Sequence, residues 1–189
     1  HPKLGIAFSV PNGFVIDNSA TAVTATGPGD MAVRFDGVQL DPNRSLTDYI
    51  RSGWVAGLDD ASVRQTIING NEAATAEARA DGWRFSITVI RAGAQAYRLL
   101  TAAPAASGSL SQVAGAVSGS FRVLSDAEKA SLKPLRIRVV TVRPGDTMGS
   151  LAAQMVGVDR KLDLFKVINA IGPAGNVSAG DKVKIVTDR

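Results

Sequence analysis

The chain of 189 residues has no cysteine and one histidine, at position 1. The first absence rules out disulfides, thiolate metal sites and cysteine nucleophiles, and leaves the compartment open. The second removes the means for a zinc hydrolase, which needs two or three imidazoles with a carboxylate around an open coordination position. There is no HExxH, and a serine nucleophile would find a base only in an unpredictable Ser–Lys pair. No apolar run approaches the roughly 18 residues of a membrane span, and residues 1–30 lack the basic start and apolar stretch of a signal peptide. A first residue of His1 rather than Met points to a piece of a longer chain.

What is present is an ordinary globular balance, 45% hydrophobic and 20% charged. Charge is uneven. Residues 1–133 hold 12 Lys/Arg against 12 Asp/Glu, and residues 134–189 hold 9 against 5, so the net +4 resides in the C-terminal part. No aromatics interleave with those cations as a single-strand nucleic-acid binder requires, and solubility accounts for the excess.

Hydrophobic alternation places a strand over Leu4–Val10 and short strands over 14–17, 22–25 and 31–35, an antiparallel meander. Ser45, with Asp48 three residues on, caps a helix whose buried face is Leu46, Tyr49, Ile50 and Trp54. Strands follow over 63–68, 73–79, 83–90 and 96–101, and the Asn69-Gly70 and Asp81-Gly82 pairs between them signal hairpins. Leu110, Val113, Ala114, Val117 and Phe121 predict a second helix capped by Ser109. Ser125-Asp-Ala-Glu128 repeats the capping pattern, and Lys133-Pro134 breaks the chain. The predicted organisation is a domain over 1–124, a linker over 125–135 and a module over 136–189.

Gly27-Pro28-Gly29-Asp30 lacks the Lys-Ser/Thr and helix of a phosphate cradle and reads as a turn. Asp59-Asp60, and Asp41 near Arg44, read as solvated faces or caps. Trp54, Trp83 and Tyr97 fit either a ligand cleft or a core whose polar tips reach an edge, and their spacing favours the core.

The last stretch is the most legible. Arg136–Val142 is β-branched, Pro144-Gly145-Asp146 turns the chain, Thr147 is placed to cap a helix, and Met148, Leu151, Ala152 and Met155 form its apolar face. Leu164, Phe165, Ile168 and Ile171 form another, stopped by Gly172-Pro173, and 182–186 alternates as a strand. The order strand, helix, helix, strand, with Val140-Thr-Val-Arg-Pro-Gly-Asp-Thr147, Leu151-Ala-Ala153, Ile168-Asn-Ala-Ile171 and Val177–Ile185, resembles a LysM domain. That resemblance implies an N-acetylglucosamine groove, with Gly145, Asp146, Thr147 and Met148 on one wall and Asn169, Ala170, Ile171 and Gly172 on the other. The same residues also suit a tight turn, its cap and a buried hydrogen-bonding asparagine.

Residues 1–124 resemble the PsbP-like α/β sandwich through Gly5–Phe14, Trp83-Arg-Phe85 and Tyr97-Arg-Leu99. The expected fold class is α+β, an antiparallel sheet flanked by helices and then a small β-α-α-β LysM-like module. The whole chain, through Met31–Asp36, Tyr49–Trp54, Ile68–Gly70, Ala73–Thr75, Asp81–Trp83, Ser120–Arg122 and Leu135–Arg138, resembles the region after the catalytic domain of bacterial HExxH metallopeptidases of the outer-membrane assembly type. This implies a non-catalytic accessory region in the periplasm or cell envelope, with no cofactor of its own and zinc only in an upstream domain. The partners implied are peptidoglycan or another envelope glycan, the upstream protease domain or envelope proteins, and no nucleic acid. A docking or regulatory module that binds no glycan is the alternative, and an independent enzyme the remaining one.

Overall fold

In the computed structural model, which describes His1 and residues 3–188, the chain divides into two compact units, His1 with Lys3–Leu124 and Ser125 onward. Unit 1 is built on a seven-stranded antiparallel sheet. In chain order its elements are β1 (Ile6–Ala7), β2 (Val15–Asn18), β3 (Val23–Gly27), β4 (Met31–Gln39), α1 (Leu46–Ile50), β5 (Leu58–Ile68), β6 (Asn71–Ala80), β7 (Trp83–Ala92), β8 (Gln95–Pro104), α2 (Leu110–Gly119) and β9 (Arg122–Val123). The sheet order is β2-β3-β4-β8-β7-β6-β5, so the early meander and the later hairpins join where β4 pairs with β8, Phe35 opposite Leu99.

The hairpin turns carry the backbone that the sequence requires. Asn69 and Gly70 both have positive φ, 47° and 80°, as do Asp81 and Gly82, 51° and 79°. This mirror-image turn matches the strand twist, and asparagine, aspartate and glycine accept it at least cost. Alternation then sorts the side chains. Val33, Phe35, Tyr97, Leu99 and Ile90 lie on one face with Ile6, Val117 and Phe121. Ala74, Ala76, Ala78, Ile87 and Val89 lie on the other, under Leu46 and Ile50 of α1. One face thus needs a helix with bulky contacts. The other, lined by β6 alanines, lets α1 sit close.

Several boundaries differ from the sequence pattern. Leu4–Val10 is a strand only at Ile6–Ala7, which pairs with Arg122–Val123 outside the main sheet. Beyond Ala7 the main chain of Ser9 bonds to the Ser120 hydroxyl through both N–H and carbonyl, and Phe8 and Val10 pack on the core without strand pairing. α2 ends at Gly119, so Phe121 is buried beyond the helix, and Ser109 makes no side-chain cap. β5 starts at Leu58, five residues before the expected start, and carries an irregularity between Asp59 and Arg64, so Asp59-Asp60 lies in a strand rather than a loop.

Unit 2 contains α3 (Asp126–Ser131), β10 (Arg136–Thr141), α4 (Met148–Ala153), α5 (Lys161–Ile168) and β11 (Lys182–Thr187). α3 occupies much of the expected linker because Ser125 and Glu128 complete a capping box. β10 and β11 pair antiparallel, with Val140 opposite Val183 and Arg138 opposite Ile185. Val142, Leu151, Ala152, Met155, Phe165, Val183 and Ile185 form the core. α5 closes before the expected Gly172-Pro173: Asn169 is its C-cap and Ala170 turns into the left-handed region at φ 53°, leaving Ile171 outside the helix.

Candidate functional site

The turn that starts α4 is held by its own side chains. The Arg143 N–H donates to the Asp146 carboxylate at 2.8 Å, and Asp146 N–H to the Arg143 carbonyl at 3.0 Å. Gly145 supplies the positive φ, 88°, between them. Ser150 N–H donates to Thr147 Oγ1 at 3.1 Å and Thr147 N–H to Ser150 Oγ at 2.9 Å, a capping box with serine where glutamate is usual. Met148 is half-buried against the core.

On the other wall, Asn169 is a clip. Its Nδ2 donates to the Phe165 carbonyl and to the Lys184 carbonyl, each at 2.9 Å, while its Oδ1 accepts from Lys184 N–H at 2.6 Å. One amide therefore closes the end of α5 and pairs with β11 as a neighbouring strand would. Ala170 and Gly172 are exposed, and Ile171 packs half-buried on the cluster that also holds Met148. Of the eight residues, Met148 and Ile171 pack on one apolar cluster. The side chains of Asp146, Thr147 and Asn169 are all engaged in fixing main chain.

Unit 1 contains a polar network that the sequence pattern did not single out. Asp36, 5% exposed, accepts from Arg98 Nε at 2.6 Å, from Arg98 Nη2 at 2.9 Å and from Arg34 Nε at 3.1 Å. Arg98 also donates to the Tyr49 hydroxyl at 3.2 Å and lies 4.9 Å from the Trp54 ring centre. The hydrogen bonds to Asp36 are the chief reason its guanidinium is held above the ordinary arginine value. The available signal was a charge within otherwise apolar strands, Arg34 and Asp36 on β4 and Arg98 on β8, but only the register shows that Asp36 faces Arg98.

The three aromatics do not converge on a cleft. Trp54 stacks on Tyr49 over one sheet face, Tyr97 is buried on the opposite face against Phe35 and Phe121, and Trp83 stands by the β6–β7 turn. Asp41 accepts from Asn43 N–H, and Pro28–Asp30 is one 3-10 turn. Among the described residues, no group of three His, Asp or Glu is placed to hold a metal ion, and no helix is long and apolar enough to cross a membrane.

No protein-family model matches the chain, and no curated protein matches it. Similar solved structures include a crystal structure from Bacteroides thetaiotaomicron, 10% identical over 76% of this chain, with a TM-score of 0.50. This chain spans about half of that one, 52%. They also include the solution structure of cyanobacterial PsbP (CyanoP) from Synechocystis, 14% identical over 64% of this chain and 88% of that one, with a TM-score of 0.49. At such identities likeness concerns fold alone: a mixed α/β chain with a large antiparallel sheet and few helices.

Proposed function

We propose that this chain is a non-catalytic accessory region of a cell-envelope metallopeptidase, and that unit 2 is a LysM-like module holding an N-acetylglucosamine polymer between Gly145–Met148 and Asn169–Gly172. Unit 1 is its PsbP-like companion, and zinc belongs to the protease domain. The observation that carries the reading is the common footing of the walls: Met148 and Ile171 pack on one cluster, so the turn and the loop keep a fixed spacing. Recognition falls to main-chain groups and to the open parts of those two side chains. No titrating group takes part.

Co-sedimentation with insoluble peptidoglycan tests this. Gly172 has no atom within 4 Å of where a Cβ would stand, so Gly172→Gln adds a polar side chain to that wall without a clash at its Cβ. The wild type is expected in the pellet and the variant in the supernatant. Equal behaviour of the two removes the glycan half of the proposal.

One observation favours a docking module instead. Each of the three groove side chains with the most hydrogen-bonding capacity, Asp146, Thr147 and Asn169, is already engaged. On that reading the chain binds the protease domain with no glycan present.

A further inference from the structure

The two strands of unit 2 differ in how their outer edges are protected. In an antiparallel pair, main-chain groups of alternate residues point to the partner and those between point away. On β11 the outward set is fixed by its contacts: Lys184 bonds to the Asn169 amide through both N–H and carbonyl, and the Val186 carbonyl accepts from Val156 N–H at 3.1 Å. Val183, Ile185 and Thr187 therefore point to β10, where they face Val140, Arg138 and Arg136. The bond from Val142 N–H to the Asp181 carbonyl continues that parity. It follows that Ile137, Val139 and Thr141 direct their N–H and carbonyl groups to the outer edge of β10. Among the described residues none of these groups has a partner beyond the strand pair.

The open edge has a groove beside it. A recess of about 600 Å³ lies along β10 and α4, lined by Arg138, Val140, Arg143, Asp146, Leu151 and Gln154 among others. Ile137 and Val139 are 63% and 58% exposed, and Val139 and Thr141 also border the recess. Arg136, Arg138 and Arg143 follow the edge, and among the described residues none of their guanidinium groups has a carboxylate within 4 Å. The one carboxylate of the recess, Asp146, accepts from Arg143 N–H.

We propose that the outer edge of β10 is a docking site for an extended acidic segment of a partner protein, which adds as a further strand. Its main chain pairs with Ile137, Val139 and Thr141. Its acidic side chains, at alternate positions, face Arg136 and Arg138 and reach Arg143, and its intervening aliphatic side chains lie beside Ile137 and Val139. Strand addition takes affinity from the main chain and selectivity from alternate side chains, as this edge offers. A second copy of β10 is disfavoured in the registers centred on Ile137 or Arg138, which set arginine against arginine, and a copy paired about Val139 leaves its arginines facing valines rather than carboxylates. This surface meets the Gly145–Met148 wall at Asp146, which borders the recess, and takes in none of Asn169–Gly172, so variants of that loop and of β10 test the two proposals apart.

The test titrates the full chain with a fluorescent blocked peptide of four Glu-Val repeats, followed by anisotropy. Val139→Pro removes one outward N–H and leaves the bonds to β11, since proline is tolerated where a strand's N–H faces outward. The expected result is saturable binding that weakens with added salt and falls at least tenfold in Val139→Pro and in Arg136→Glu/Arg138→Glu. A Lys-Val peptide should not bind. Two peptides N-methylated on alternate residue sets read the geometry without altering the protein: one set should abolish binding and the other largely spare it. Binding of the Lys-Val peptide as strong as that of Glu-Val, equal effects of the two methylated sets, or Glu-Val binding unchanged in folded Val139→Pro would each overturn the proposal. So would a dimer in sedimentation that Val139→Pro dissolves, which would assign the edge to a second copy. Gly172→Gln should leave peptide binding unchanged, so loss of glycan retention and loss of peptide binding remain separate results.

Discussion

Two asparagines do comparable work in the two units, each through a side-chain amide that replaces a missing strand or helix partner. Asn69, in the β5–β6 turn, donates to the carbonyls of Gly119 and Phe121 at 2.8 and 2.7 Å and so fixes the end of α2. Asn169 does this for α5 and β11. Asn169→Ala removes three hydrogen bonds at once and is expected to destabilise unit 2 by about 2 kcal/mol, at a typical net value per bond near 1 kcal/mol with part of the loss recovered by water. Asn169→Asp should be no better, because a carboxylate cannot donate to the Phe165 and Lys184 carbonyls. Urea unfolding measures both, and an unchanged midpoint would return Asn169 to the role of a ligand-facing residue. Tyr97 gives a pH-dependent case. Burial raises its phenol above the ordinary value of about 10. The folded state therefore keeps a proton that the unfolded state releases, so the contribution of Tyr97 is intact below pH 10 and declines as pH rises toward the folded value. Tyr97→Phe should flatten the fall in urea midpoint above pH 10.

At the scale of elements, α1 spans only five residues, too short to persist by helix propensity alone. It is held by its Ser45 cap, by Leu46 and Ile50, and by two arginines of the sheet. Arg98 reaches Tyr49 and Trp54 from β8, and Arg91 donates to the carbonyls of Asp41 and Arg44 while pairing with Glu72. Arg98→Met leaves the Asp36 carboxylate nearly buried with Arg34 alone, and removing one partner of a buried pair costs about 3 to 5 kcal/mol. Adding Asp36→Leu should recover most of that loss, and hydrogen exchange of residues 46–50 should quicken in the single variant but not in the double. A cost that is simply additive would show that Asp36 and Arg98 are independent. Such networks are hard to foresee in a sequence. The Ser45 cap and the Asn-Gly and Asp-Gly turns were legible because their causes lie within four residues. The pairing of β4 with β8, which brings Asp36 to Arg98 across 62 positions, has no local signature. The turn into α4 was legible for the same reason as those turns: Pro144-Gly145-Asp146-Thr147 specifies its own geometry and cap. The engagement of Asn169 with Lys184 was not, since it depends on where β11 runs.

For the whole molecule, the division at Leu124/Ser125 follows from where apolar side chains gather. Unit 1 has its clusters on the two faces of one sheet, and unit 2 has a single small one around Phe165 and Met155, both fully buried. A unit of some 65 residues with one modest core and no cysteine to form a disulfide has little stability in reserve. Phe165→Ala should cost about 3 to 5 kcal/mol through lost transfer energy and the cavity it leaves, which is comparable to all the stability such a unit holds. The expected thermogram of that variant has lost the unit 2 transition and kept the unit 1 transition at its former temperature, because each unit is held by a core of its own. Near-ultraviolet circular dichroism reads this through Trp54 and Trp83, which both lie in unit 1 and should keep their signal. Under the proposed function, the same variant should lose peptidoglycan retention and peptide binding together, whereas Gly172→Gln and Val139→Pro each lose only one. If Phe165→Ala instead lowered the melting of unit 1 by the same amount, the chain would be one cooperative body, and the two surfaces of unit 2 could not be altered independently of the sheet.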